Sequence, residues 1–257
     1  MAQITDLCFE HYQSAFATGV DEPKPRLSWK IQSPSTDFEQ SSYEIEVFDE
    51  SSPLTQSRLQ LKKVNSSSST LVPWPVDKPL RSRQKISARV RVWDVQGGVT
   101  SWSESARLEV GLLQPSDWHC DRIAAPWSQE SSAPQPEQLF RKEFPLGDIV
   151  DKARLYITAQ GVYEANINGS CIGDYFLAPG WTSYDERLQY QTYDVTSALT
   201  TGTNCLGIRV AEGWFSGRIG FEGGRRGIKD KIRLWVDPLL RDQAQDKECI
   251  SHVTTAQ

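Results

Sequence analysis

Long apolar runs are missing from this sequence. None approaches the ~20 residues that a helical membrane span requires, so a membrane is not among the expected partners. The opening MAQITDLCFEHYQSAF has no cationic start leading into an apolar stretch, the mark of a secretory leader, and a cytoplasmic location is the expectation. An excess of positive charge is missing too. Lys and Arg number 28 against 33 Asp and Glu, a formal net charge of −5 with no basic block. Nothing here calls for nucleic acid. His11, His119 and His252 are the three histidines, too scattered for a metal cluster or a Ser-His-Asp arrangement. The five cysteines (Cys8, Cys120, Cys171, Cys205 and Cys249) are odd in number and form no C-x-x-C pair. That excludes a disulfide framework and a zinc site, and leaves free thiols as the expectation. GFEGGRRG from Gly220 has glycines but neither a Walker lysine nor a helical pattern after it, so it is no phosphate loop.

Helical periodicity is also missing; what is present is period two. In YEIEVFD, Tyr43, Ile45 and Val47 share one face, with Glu44 and Glu46 on the other. Ile86, Ala88, Val90 and Val92 alternate with Ser87, Arg89 and Arg91. Ala153, Leu155 and Ile157 alternate with Arg154, Tyr156 and Thr158, and Leu206, Ile208 and Val210 with Cys205, Gly207 and Arg209. One-sided alternation marks antiparallel sheets with one wet face. The fold class read from this is all-β, with two antiparallel sandwich domains, and 257 residues suffice for two cores.

Breakers give the organisation. Ser51 to Ser69 is polar enough to read as a loop or a frayed edge, and Trp127 to Glu137 as a surface excursion. The expected domains are residues 1–112 and 113–240, followed by an irregular tail, 241–257. In the first, PRLSW from Pro25 and RVRVWDVQGGVTSWSES from Arg89 resemble fibronectin type III domains. Trp29 is expected between two sheets, and Gly97-Gly98 to supply the positive φ of a hairpin. No tyrosine opens the strand at Lys85-Ile86, so a tyrosine corner is not expected.

In the second domain, Asn168-Gly169 is a strong hairpin signal. DVTSALTTGTN reads as a strand end, a helical turn with Thr196 as N-cap, and a left-handed turn at Gly202. This order resembles the galactose-binding-like jelly rolls. The wording is closer still: GVYEANINGSCIGDYFLAPGWTSYDERLQYQTYDVTSAL and AEGWFSGRIGF look like the N-terminal domain of α-L-rhamnosidases of glycoside hydrolase family 78. The resemblance runs from about residue 20 to 227 and implies hydrolysis of terminal L-rhamnose from glycosides by an inverting mechanism. It places the catalytic carboxylates in a later (α/α)6 barrel. After Gly227 the pattern departs from the family, with one short apolar run and a polar stretch, so the jelly roll is expected to be incomplete and to leave an edge unpaired.

Catalysis is not expected within the chain. Inverting hydrolysis needs two carboxyl groups about 6.5–9.5 Å apart, and Asp174, Asp185, Glu186, Glu212 and Glu222 qualify by type alone. Sugar binding is the sharper reading, because pyranose C–H faces stack on aromatic rings while hydroxyls take hydrogen bonds from charged groups. The candidate carbohydrate-binding residues are Trp181, Tyr184, Asp185, Arg187, Glu212, Trp214 and Arg218, with Gly180, Gly213 and Gly217 suggesting loops beside them. The competing reading packs Trp181 and Trp214 between sheets or against a neighbouring domain. Tyr190 and Tyr193 read as structural. No cofactor is expected; calcium has no Asp-x-Asp loop to support it. Three functions stand open: the non-catalytic front of an α-L-rhamnosidase, with rhamnosides and the catalytic barrel as partners; a free-standing rhamnose-binding module; and a β-sandwich scaffold.

Overall fold

Four stretches of alternating residues, two to each, organise two separate cores. The computed structural model describes residues 2–13, 16–35, 37–51, 57–126, 135–219, 224–225, 233–242, 245–248 and 254–255. It divides into two compact units, Met1–Asp117 and Trp118–Gln257. Among the described residues no helix is long and apolar enough to cross a membrane.

Among the described residues the first unit holds seven strands: β1 (Gln3–Phe9), β2 (Phe16–Val20), β3 (Leu27–Gln32), β4 (Gln40–Asp49), β5 (Ser57–Val64), β6 (Lys85–Asp94) and β7 (Ala106–Val110). They form a pair, β1-β3, and a five-stranded sheet in the order β2-β7-β6-β4-β5. All pairings are antiparallel except β2 with β7, which is parallel. The inner faces meet as the alternation requires: Ile45, Val47, Ile86, Ala88, Val90 and Val92 are essentially inaccessible to solvent. Burying each Ile or Val of this kind contributes about 1.5–3 kcal/mol. Trp29 lies in this core, its Nε1–H donating to Gln40 Oε1 at 3.1 Å and its ring packing edge-on to Tyr43. The 3-10 turn Pro115–Asp117 is held by Ser82, whose hydroxyl donates to the Asp117 carboxylate, and by Arg83, which donates to the Asp117 carbonyl at 2.9 Å.

The outer face of that sheet is not wet. Glu44 and Glu46, on the polar side of the alternation, are both buried. Arg91 and Arg89 cover them, with Nε–Oε2 distances of 2.7 and 2.6 Å. Nor is all of the Ser51 to Ser69 stretch a loop. Ser57–Val64 forms the edge strand β5, whose Leu59 and Val64 pack on the core while exposed Lys62 and Lys63 blunt the edge. At the β6 turn only Gly97 has positive φ (+88°). Gly98 is required for a different reason: a Cβ there would sit 2.6 Å from Oδ2 of Asp94, a carboxylate whose Oδ1 accepts the backbone N–H groups of Gln96 and Gly98.

The second unit opens with a segment in which Ile123 bridges Leu234. Its strands are β8 (Gln138–Leu146), β9 (Lys152–Gln160), β10 (Val162–Ile167), β11 (Ser170–Cys171), β12 (Gln191–Asp194), β13 (Gly202–Ala211), β14 (Arg218–Ile219), β15 (Gly224–Arg225), β16 (Arg233–Asp242), β17 (Gln245–Glu248) and β18 (Thr254–Thr255). Two larger sheets, β11-β10-β13-β8-β18 and β12-β9-β16-β17, face each other across Phe140, Phe144, Leu155, Ile157, Leu206, Ile208 and Val210. Asn168 and Gly169 make the β10–β11 turn with φ of +52° and +83°, the left-handed pair a two-residue hairpin demands. Beyond Gly227, where the sequence shows little pattern, β16 nevertheless pairs with β9 over nine residues.

Two local expectations change here. Thr196 begins the 3-10 turn Thr196–Ala198 but does not cap it. Its hydroxyl donates to Asp194 Oδ1 (2.6 Å) and accepts the Ala153 N–H (2.9 Å), while Asp194 Oδ1 also takes the Thr196 N–H. Strand β9 is buried on both faces, Arg154, Tyr156 and Thr158 included. Tyr190 covers Tyr156, Trp118 packs edge-on to Tyr190, and the Thr158 hydroxyl donates to the Gln189 carbonyl at 2.5 Å. Cys8, Cys120, Cys171 and Cys205 are free thiols; burial, with Asp237 nearby, pushes the Cys120 thiol up to about 11. Cys249 lies outside the described residues.

Candidate functional site

The candidate residues fall on two segments at one end of the second unit: the connection from β11 to β12, and the short helix α1 (Gly213–Ser216) that follows β13. The connection is fixed to the sheet from below. Tyr163 N–H donates to the Ala178 carbonyl at 2.7 Å, and the Tyr163 phenol donates to Gln191 Oε1 at 2.7 Å. Burial, with Tyr193 beside it, holds that phenol far above its ordinary pKa, so it remains a donor. Gln191 in turn donates through Nε2 to the Pro179 carbonyl at 3.2 Å, and the Ala178–Pro179 peptide is cis. Gly180 takes φ of +100° and its N–H bonds the Leu177 carbonyl, which closes the turn. Gly173 sits against Tyr193, where a Cβ would overlap the ring's Cε1 and no side chain would fit.

From this base, residues 181–187 form a second turn. The Ser183 carbonyl accepts the N–H groups of Glu186 (2.8 Å) and Arg187 (2.9 Å), and the Thr182 hydroxyl donates to the Arg187 carbonyl at 2.7 Å. Helix α1 is placed by Gly213, whose φ is +50° and whose Cα is so close to Val162 that a Cβ would come 2.6 Å from Val162 Cγ1. Gly217, which ends α1, has no room for a Cβ either: it would overlap the Gly213 carbonyl oxygen.

Turn and helix are then locked by two aromatic pairs. The buried Tyr184 and Phe215 meet edge-to-face, with centroids 5.4 Å apart at 85°. On the same two segments Trp181 and Trp214 lie parallel, with centroids 6.1 Å apart and 6° between planes. Trp181 is 58% exposed, so it does not pack between the sheets. The structure therefore brings Trp181, Trp214 and Tyr184 together, with Tyr184 as an anchor rather than a surface. Asp185 and Arg187 are exposed on the same turn, and Glu212 is half-buried at the start of α1. Arg218 enters β14, but its side chain, like all of Glu222, lies outside the described residues.

Sequence reasoning passed over Tyr175, Phe176 and Leu177. They are 70%, 96% and 57% exposed on the loop that leads into Trp181. The available signal was an apolar triplet between Asp174 and Pro179, in a Gly- and Pro-rich connection that buries none of its strands' alternation. Among the described residues no group of three or more His, Cys, Asp or Glu lies together to hold a metal ion.

Comparison with known proteins agrees with this architecture. Residues 148–255 match the family described as alpha-L-rhamnosidase N-terminal domain, and residues 4–114 the Rha78A-like N-terminal immunoglobulin domain. An alpha-L-rhamnosidase of Formosa agariphila is 38% identical over 213 residues, 79% of this chain and 23% of that protein. One from Alteromonas sp. (strain LOR) is 38% identical over 210 residues, 78% of this chain and 23% of that protein. The crystal structure of native α-L-rhamnosidase from Aspergillus terreus superposes with a TM-score of 0.87 at 40% identity, covering 99% of this chain and 30% of that one. The chain thus spans about a quarter of the length of the curated relatives it matches. It belongs to the N-terminal, all-β region of the α-L-rhamnosidase family.

Proposed function

We propose that this chain is the non-catalytic, substrate-positioning portion of an α-L-rhamnosidase, and that Trp181 is its sugar platform. The observation that carries this reading is the parallel Trp181–Trp214 pair, with Trp181 exposed, on the same two segments that the buried Tyr184–Phe215 contact joins. Separation of 6.1 Å leaves no room for a ring between the two indoles. A sugar would lie on the outward face of Trp181, with Asp185 and Arg187 of the same turn within the chain's reach of its hydroxyls. Hydrolysis belongs to the remainder of the family protein, with terminal rhamnosides as substrate. The test is calorimetric titration of the chain with L-rhamnose and with a rhamnosyl disaccharide, beside Trp181→Ala and Trp214→Ala. Saturable heat abolished in Trp181→Ala supports the platform; no heat from the folded wild type rejects it.

A second reading rests on Tyr175, Phe176 and Leu177, whose exposure on a loop fixed by Tyr163 and Gln191 suits docking to the catalytic portion. Sedimentation of the chain with a separately produced catalytic portion of a relative tests it. A complex weakened by Phe176→Ser is expected, and an unaltered one counts against docking here. Calcium enters neither reading, since among the described residues no group of three or more His, Cys, Asp or Glu lies together.

A further inference from the structure

The outer face of the five-stranded sheet in the first unit carries a row of cations separated by aromatic rings. Lys63 Nζ lies 3.7 Å over the Trp93 ring. Arg91 packs between Trp93 and Trp102, at 5.1 and 4.6 Å, and Arg89 between Trp102 and Phe48, at 4.8 and 5.7 Å. Trp102 is brought there by the T-S-W-S stretch. The Thr100 and Ser103 hydroxyls accept the Val92 and Val90 N–H groups at 3.1 and 3.0 Å, and the Thr100 and Ser103 N–H groups bond the same two residues' carbonyls. This irregular strand lays the indole across the two guanidinium groups.

Covering the sheet does not use up this charge. Arg89 and Arg91 each spend Nε and Nη2 on one carboxylate oxygen, of Glu46 and Glu44 respectively. Their Nη1 groups have no partner among the described residues, and their side chains are 38% and 34% exposed. Lys63 has no carboxylate partner among the described residues and is exposed. Arg58 joins Arg89 on Glu46, so four cations face two carboxylates on a chain whose formal net charge is −5. Arg91 lies between two indoles, Arg89 between an indole and the Phe48 ring, and Lys63 over one indole, so successive charges stand one ring apart, and fixed charges recognise a repeating ligand at low entropic cost.

We infer that this face binds a linear anionic polysaccharide, its successive acidic sugars meeting Lys63, Arg91 and Arg89 in turn. The ring faces of Trp93 and Trp102 are occupied by the cations, so recognition is through charge and donor geometry. Carboxylate and sulfate share that chemistry. A single short row of cations on an acidic chain favours a narrow strand over duplex nucleic acid, whose binding needs many phosphate contacts.

Affinity electrophoresis of the full chain tests this with dextran sulfate, polygalacturonate, neutral dextran and oligothymidylate as embedded probes. Retardation by one or both acidic polysaccharides, none by neutral dextran, and loss in ~0.5 M salt are expected; which polymer retards identifies the acidic group. Lys63→Glu should weaken binding about fivefold or more with an unchanged melting temperature. Lys62→Glu, the same charge change on the opposite strand face, should leave it near wild type. Absence of retardation by both polyanions overturns the inference. So does equal loss in the two lysine variants, or equal retardation by oligothymidylate.

Discussion

Arg154 Nη1 stands 2.7 Å from Asp194 Oδ2, an ion pair in which the arginine is 2% exposed and the aspartate 54%. The asymmetry shapes its energetics. Asp194 keeps much of its hydration, whereas the buried Arg154, whose Nη1 also donates to the Ala153 carbonyl at 3.1 Å, draws on this carboxylate to offset its burial. Burial raises the Asp194 pKa, but the Thr196 hydroxyl and N–H and then Arg154 outweigh it, and the net shift is downward. A carboxyl with a depressed folded pKa adds stability above its unfolded value, and that stability is lost as pH falls through the folded value.

Asp194→Asn should therefore cost about 1–3 kcal/mol near neutrality, between an exposed and a fully buried pair. Urea midpoints of wild type and variant should differ at pH 7 and converge as pH falls below the ordinary carboxylate range. A gap constant with pH would show that packing, not charge, is responsible.

Gly213→Ala should be destabilising by about 1–3 kcal/mol, since it combines a positive φ with overlap on Val162. Because Gly213 sets the start of α1, the Trp214 ring should also move off Trp181. Thermal melts report the first effect, and loss of the near-ultraviolet circular dichroism of the indole pair reports the second.

Phe215→Ala and Trp181→Ala separate anchor from platform. Removing the buried Phe215 should cost about 3–5 kcal/mol and loosen both aromatic pairs. Removing the exposed Trp181 should leave the melting temperature within a few degrees of wild type. Equal destabilisation by the two would mean that Trp181 is part of the core.

Asn204 is 1% exposed. Its Oδ1 accepts from Asn168 Nδ2 (2.8 Å) and the Thr200 N–H (2.9 Å), and its Nδ2 donates to the Thr200 and Gly202 carbonyls (2.6 and 3.2 Å). Asn204→Leu should strip these partners and cost about 2–4 kcal/mol. Hydrogen exchange should accelerate at Asn168 and Cys205, whose N–H groups tie the hairpin turn to β13.

Much of this architecture was legible because period two is a local property. Ile86 to Val92 and Leu206 to Val210 announce a face without knowledge of what covers it. Asn168-Gly169 likewise states its own backbone geometry. What stayed hidden depends on residues distant in sequence. Arg154 and Tyr156 read as solvent-facing because Asp194 and Tyr190, which cover them, lie more than thirty residues on. Glu44 and Glu46 read as wet because Arg89, Arg91 and Trp102 arrive from another strand and its irregular continuation. Arg233–Asp242 shows little alternation, yet it lies between β9 and β17 in its sheet. In the candidate site, Trp181 and Trp214 were visible by type, but their stacking is set by Tyr184 and Phe215, a contact no spacing rule encodes.

The parallel pairing of β2 with β7 gives the first unit a mechanical character. Phe16 to Val20 lie beside Arg107 to Val110 with both strands running the same way. Tension applied at the two ends of the unit, once β1 has given way, pulls these strands past each other along their length. Their hydrogen bonds are then loaded together in shear instead of opening one by one as in a zipper. The joint resists such a pull better than its few bonds suggest.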